Sequence, residues 1–173
     1  MNTTTHFVLT GTPIGDVTLV ANGRAVTGVY MQEHRHQPDA ALFGTRQESA
    51  RGVLRRAAEQ LNEYFHDGRR EFDLMLEPAG TEFQHGVWAR LRAIPYGQTR
   101  SYGQVARELG APRSSRAVGM ANGRNPLSIV VPCHRVIGAN GAMTGFGGGV
   151  ERKIWLLQHE MEGALSLEYV ARR

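Results

Sequence analysis

The stretch "EPAG", residues 77 to 80, separates two different hydrophobic periodicities, so the two sides of this chain must be built differently. Upstream, Val17, Leu19 and Ala21 alternate into Asn22-Gly23, and Val26 to Met31 follow as a return strand. Alternation buries one face of a strand, and Asn-Gly suits a type I′ hairpin turn. "THFVL" before Pro13 reads as a first strand, and alternating Phe72, Leu74 and Leu76 predict another. The polar, proline-containing "EHRHQPDAALFGTRQ" reads as a loop. From Glu48, Leu54, Ala57, Leu61 and Phe65 recur at three and four residues, which predicts a helix ending at Gly68.

Downstream the pattern is helical. Thr81 with Gln84, and Ser101 with Gln104, each have the spacing of a capping box, in which two helix-end donors are satisfied reciprocally. Phe83, Val87 and Leu91 share one face of the first of these helices, and Val105, Ala106 and Leu109 face inward on the second. After Gly110 and "APR", a further helix runs from Ser114 to about Asn122. Two short helices across a tight glycine-containing turn form a helix-turn-helix pattern, which also occurs in domains that bind nothing. Ile129 to Val131 predict a short buried strand or extended segment. A glycine-rich stretch then leads to a last helix from Val150 to about Met161. The boundary separates residues 1–78 from 79–173.

At 41% hydrophobic and 21% charged residues, the chain reads as an ordinary soluble protein. One cysteine in 173 residues allows no internal disulfide, consistent with a reducing cytoplasm. The first residues lack the pattern of a signal peptide, and no apolar run is long enough to span a bilayer. The net charge is +4, and Lys153 is the only lysine among 20 basic residues. Arginine suits bidentate contact with phosphate and base edges, although a bias in genome composition produces the same excess.

The lone cysteine lies in "IVVPCHRVIG". A free cysteine can be simply a small buried hydrophobe. Here Pro132 fixes the backbone before the thiol, His134 and Arg135 bring positive charge beside it, and a glycine-rich segment lets another molecule come close. These are the conditions of an activated nucleophile. In extended chain Cys133 and His134 point to opposite faces, so His134 reaches the thiol only through a water or a bend. A histidine in that role wants an orienting carboxylate. Glu160, near the apolar stripe of the last helix, is either that carboxylate or a solvated flank residue. Nothing in the sequence has metal-ligand spacing: there is no second cysteine, and His34 and His36 lie in a polar loop. "GFGGG" lacks the Gly-Lys-Ser/Thr ending of a phosphate loop.

"PCHRV", preceded by "SSRAVGMANGRNP" and followed by "GFGGG" and "WLLQHE", closely resembles the O6-alkylguanine-DNA alkyltransferases, or methylated-DNA–protein-cysteine methyltransferases. The likeness covers about Thr81 to Gly163. It implies an α+β fold: a small antiparallel sheet with a helix, then a mostly helical lobe with a helix-turn-helix. It implies repair of O6-methylguanine, and of O4-methylthymine, by irreversible transfer of the alkyl group to the protein itself, once per molecule and without a cofactor or metal. By the likeness Cys133 is the acceptor, His134 helps form its thiolate through water, and Glu160 orients His134. Asn125 braces the active-site turn, and Tyr102 aids protonation of the leaving base and contacts DNA. Arg116 enters the base stack where the nucleotide is flipped out. Ser101, Ser114, Ala117, Asn122 and Gly123 complete the implied DNA surface. Val136, Met143, Gly145, Phe146, Gly147, Gly148 and Lys153 form the implied pocket. The implied partner is double-stranded DNA, bound through its minor groove by a cytoplasmic monomer with no membrane contact. Phe146 stands where many members have tyrosine, and Ser128 where some have proline. Cys133 itself separates the chain from alkyltransferase-like lesion binders, which lack the acceptor. A cysteine hydrolase would need an oxyanion hole that no motif here supplies.

Overall fold

The computed structural model describes residues 3–171, with side chains described as far as Gly163. Two compact units divide it. One takes the chain up to Ala79 together with Pro126–Val130; the other takes Gly80–Asn125 and the chain from Val131 onward.

The first unit is built on strands β1 (Thr5–Leu9), β2 (Val17–Ala21), β3 (Val26–Met31) and β4 (Thr45–Arg46) and helix α1 (Gly52–His66). They form a four-stranded sheet in the order β3-β2-β1-β4. β1–β2 and β2–β3 are antiparallel, but β4 joins β1 in parallel, so the sheet is mixed where an antiparallel one was expected. Val17, Leu19, Val29 and Met31 are buried on the sheet, and α1 buries Leu54, Ala57, Leu61 and Phe65.

Four expectations fail here for identifiable reasons. The hairpin loop spans Asn22 to Ala25 rather than two residues, because the Asn22 side chain accepts hydrogen bonds from the Arg24 and Ala25 amides. Helix α1 starts at Gly52 rather than Glu48, because Gln47 is still paired with β1, its amide donating to the His6 carbonyl at 2.8 Å. The loop before it contains a one-turn 3₁₀ helix, Ala40–Phe43, capped by the Asp39 side chain. Phe72–Leu76 is not a strand beyond an isolated bridge between Leu76 and Val26. The Gln60 side chain occupies both backbone groups of Asp73, accepting from its amide at 2.9 Å and donating to its carbonyl at 3.0 Å. A backbone satisfied that way has no need of a ladder.

Pro126–Val130 joins this unit although it lies far down the chain. The Val29 amide donates to the Pro126 carbonyl at 2.8 Å, and Leu127 bridges to Val29. The extended run expected at Ile129–Val131 is interrupted, with Ile129 at φ +72°. That left-handed conformation is rare for a β-branched residue.

The second unit holds α2 (Glu82–Arg92), β5 (Arg100–Ser101), α3 (Tyr102–Glu108), α4 (Ser115–Gly123), β6 (Val136–Ile137) and α5 (Val150–Ala171). Both capping boxes form, at Thr81/Gln84 and at Ser101/Gln104. α3 and α4, joined through Gly110 at φ +73°, make the helix-turn-helix. Trp88 of α2 is buried and donates its indole N–H to the Ala121 carbonyl of α4 at 2.9 Å, which satisfies its one polar atom in the core. Among the described residues, no helix is long and apolar enough to cross a membrane.

Candidate active site

Cys133 opens a single 3₁₀ turn, Cys133–Arg135, rather than sitting in extended chain. Pro132 at φ −80° and ψ 65° starts the bend, and the Arg135 amide donates back to the Pro132 carbonyl at 3.0 Å. The turn is held from α4 and the residues after it. Asn125 donates to the Val131 carbonyl at 2.8 Å, and Asn122 donates to the carbonyls of Cys133 at 3.3 Å and Gly145 at 3.0 Å. Beyond the turn, β6 pairs in parallel with β5, Val136 opposite Arg100 and Ile137 opposite Ser101. That pairing brings the start of α3, and Tyr102 with it, to the same side of the unit as the thiol.

Two side chains converge on the Thr144 carbonyl. Tyr102 donates its hydroxyl to it at 2.6 Å, and the Lys153 ammonium donates to it at 2.7 Å and to the Val136 carbonyl at 2.5 Å. Gly145 follows at φ +70°, and the Tyr102 hydroxyl occupies the space a Cβ there would need, so no other residue fits. Burial lowers the Lys153 pKa to about 8, while the Cys133 sulfur's negative charge acts to raise it. Burial raises the Tyr102 pKa, a hydrogen bond with the Thr144 side chain opposes this, and a negative charge on the Cys133 sulfur would add to the rise, so the phenol keeps its proton.

Behind the thiol lies a buried trio. His134 Nε2 is 2.7 Å from Glu160 Oε1, and Arg135 donates to both carboxylate oxygens, from Nε at 2.8 Å and Nη2 at 3.0 Å. Arg135 Nη1 also donates to the Ile94 carbonyl at 2.6 Å, and the Gly97 amide donates to Glu160 Oε2 at 3.2 Å. Burial acts to raise the Glu160 pKa, but the hydrogen bonds from His134 and Arg135 and the charge beside it outweigh that and hold it far below the usual carboxylate range. For His134, burial dominates and lowers the pKa, against the pull of Glu160. The resting state is therefore an ionised Glu160, a charged Arg135 and a neutral His134 that donates Nε2–H to the carboxylate. The tautomer follows: Nδ1 carries the lone pair. That Nδ1 is buried and has no hydrogen-bond partner among the described residues. The trio offers a base beside a thiol, with its ring orientation fixed.

The outer face of the helix-turn-helix is different. Arg116 and Ala117 are exposed on α4, while Ser101, Tyr102, Ser114 and Gly123 are half-buried. Asn122, expected at the DNA surface, instead turns inward and is 1% exposed. The reason is its place on α4 with Val118 and Ala121, a buried stripe at three- and four-residue spacing. That spacing is legible in the sequence and marks Asn122 as an inward-facing polar residue. Val136, Phe146, Gly147, Gly148 and Lys153 are buried, and Met143 is half-buried. In the sequence Arg135 signals only local charge; its grip on Glu160 spans 25 residues and no local signal announces it.

A family profile described as the DNA binding domain of 6-O-methylguanine DNA methyltransferase matches residues 82–162. The methylated-DNA–protein-cysteine methyltransferase of Mycobacterium bovis is 46% identical over 159 residues, which cover 92% of this chain and 94% of that protein. The methyltransferase of the same name from Methanosarcina acetivorans is 41% identical over 155 residues, 90% of this chain and 97% of its own. The fold is similar to the crystal structure of Mycobacterium tuberculosis OGT in complex with DNA, with a TM-score of 0.83 and 45% identity over 92% of this chain and 94% of that one.

Proposed function

This chain belongs to the methylated-DNA–protein-cysteine methyltransferase family, and we propose that it repairs O6-methylguanine in duplex DNA by moving the methyl group onto Cys133, once per molecule. The observation that carries this reading is the buried His134 beside the chain's one thiol, neutral, with Nε2 committed to Glu160 and a lone pair at Nδ1. A buried unpaired acceptor calls for a donor, and a water between Nδ1 and the thiol supplies one. Through that water His134 takes the thiol proton. The thiolate attacks the methyl carbon in line, the S–C bond forms as the C–O6 bond breaks, and the electron pair leaves with guanine. The product thioether is stable and no group nearby regenerates the thiol. Lys153 stabilises the thiolate by its charge.

Guanine leaves as an anion and needs a proton. Tyr102 hydrogen-bonds the leaving base as it takes a proton from water, and the proton held by His134 returns to that water, so the thiol's proton ends on guanine. When the phenol turns from Thr144 to the base, the Lys153 ammonium still satisfies that carbonyl, so the turn leaves the acceptor paired. O4-methylthymine presents the same aryl ether and is a second substrate.

A methylated base inside a duplex is out of the thiol's reach and has to be flipped out. Arg116 fills the gap left in the stack, and the small Ala117 lets α4 approach the minor groove closely. Degenerate readout in that groove suits a protein that must inspect every sequence. Ser101, Ser114 and Gly123 are proposed backbone contacts; Val136, Met143, Gly145, Phe146, Gly147 and Gly148 line the base pocket, and Asn125 braces the turn. All these residues belong to a single chain, which acts as a monomer on cytoplasmic DNA. The test is an incubation with a large excess of O6-methylguanine duplex, followed by nucleoside analysis. One guanine restored per protein molecule is expected; continued turnover overturns the reading.

The activation step has its own test. Glu160→Gln keeps an oxygen for Arg135 but removes the charge, and breaking a buried pair costs about 3–5 kcal/mol, so the variant is assayed well below its melting temperature. Glu160 raises the His134 pKa, so its loss makes the imidazole a weaker base. Transfer at neutral pH is expected to slow by about 10- to 100-fold, and the pH–rate profile to move alkaline, toward the ordinary thiol value of about 8.5. A stopped-flow series across pH that gives the wild-type rate and profile would remove Glu160 from the mechanism.

A further inference from the structure

We propose that Asn122 is a positioning residue for the transfer, which fixes the aim of the thiol from the helix that meets DNA; this rests on the function proposed above. Its amide nitrogen has two hydrogens and each is used, one on the Cys133 carbonyl at 3.3 Å and one on the Gly145 carbonyl at 3.0 Å. The first carbonyl belongs to the nucleophile's own residue, so holding it holds the backbone angle from which the thiol is presented. The second belongs to the glycine after Thr144, where Tyr102 and Lys153 are both anchored. One side chain therefore sets the spacing between the acceptor cysteine and the loop opposite it.

The other end of the amide argues that this is not general packing. Asn122 Oδ1 is buried and has no hydrogen-bond partner among the described residues, while the residue is 1% exposed. An unpaired buried oxygen is a standing cost that an apolar residue of the same shape would not carry. Leucine would shed that cost but would also leave both carbonyls without the amide donor. What leucine cannot do is donate to two carbonyls at once. Asn122 also sits on the same short helix as Arg116, six residues or roughly 9 Å along the axis, with one side chain facing out and the other in. Seating α4 on DNA thus acts directly on the geometry at Cys133.

The test uses the full chain with Asn122→Leu, which keeps the volume, and Asn122→Ser, which is polar but cannot reach both carbonyls. Single-turnover reaction with O6-benzylguanine gives a maximal rate and a half-saturating concentration. Alkylation by iodoacetamide, a small electrophile that needs no alignment, reports thiol reactivity alone. Displacing a reacting group by about 1 Å can cost on the order of 100-fold. Both variants are expected to lose about 10- to 100-fold in maximal rate, with half-saturation and iodoacetamide rates within about twofold of wild type. A wild-type maximal rate in either folded variant overturns the proposal, as does an iodoacetamide rate that falls in step with the O6-benzylguanine rate. If the wild-type protein itself fails to react with O6-methylguanine duplex, the proposed function fails instead, and the two results are distinct.

Discussion

Cys133→Ser is expected to abolish alkyl transfer while leaving affinity for unmethylated duplex unchanged. The substitution is nearly isosteric at a buried position, and the turn that holds it is fixed by the Arg135 amide on the Pro132 carbonyl and by side-chain bonds from Asn122 and Asn125. The geometry therefore survives and the chemistry does not. A hydroxyl is a far weaker acid than a thiol, whose ordinary pKa is about 8.5, and the anion population falls tenfold for each unit of difference. The neutral His134, already a weak base because it is buried, cannot make up that gap. The oxygen is also a harder, less polarisable nucleophile toward a methyl carbon. Loss of more than about 10³-fold in rate is expected, read in a single-turnover assay alongside an anisotropy titration on duplex DNA. Residual transfer near the wild-type rate would mean that another group accepts the alkyl.

The second large effect belongs to a residue that never approaches the thiol. Arg116→Ala is expected to slow repair of duplex O6-methylguanine by roughly 100-fold, yet to change reaction with free O6-benzylguanine by less than about twofold. Arg116 is exposed near the start of α4, where it packs no core and its removal leaves no cavity. Its proposed work is to hold the flipped state by filling the vacated stack, a task that a free base does not require. Losing a few kcal/mol of that support lowers the flipped population by about two orders of magnitude. Parallel assays on the two substrates decide the matter: equal losses would assign Arg116 to the pocket or to folding, and no loss on the duplex would remove it from DNA distortion.

What could be read from the sequence is what depends on neighbours along the chain. Thr81 with Gln84 and Ser101 with Gln104 satisfy their bonds within one helical turn, so the spacing alone announces both helix starts. The stripe on α1 is equally local. Misreadings arise where a distant group intervenes. Alternation at Phe72–Leu76 suggests a strand, but Gln60, 13 residues away, takes the backbone of Asp73. β4 pairs in parallel with β1 across a gap that no local pattern signals. Pro132 was read as stiffening an extended segment, whereas it opens a 3₁₀ turn.

The same division runs through the site. Residue types around Cys133 point to an activated thiol, and family resemblance, not spacing, tied His134 to Glu160. The structure brings those two side chains together from 26 residues apart. Arg135 adds a contribution that its neighbours in "PCHRV" do not reveal. With His134, whose hydrogen bond has the larger effect, it holds both oxygens of Glu160 and helps keep the carboxylate ionised inside the protein, where burial alone would push it toward the neutral form. The family resemblance implies Asn122 at the DNA surface, whereas it is buried. Its phase with Val118 and Ala121 carries the opposite message.

The central claim, that Cys133 is itself the final resting place of the alkyl group, is tested most directly by intact-mass and peptide measurements after incubation with one equivalent of O6-methylguanine duplex. The account predicts a gain of about 14 Da per chain, the mass of a thiol converted to its methyl thioether, located on the peptide that contains Cys133 and accompanied by loss of the lesion from the DNA. Loss of the lesion with no change in protein mass, or a methyl group found on any other residue, would contradict it.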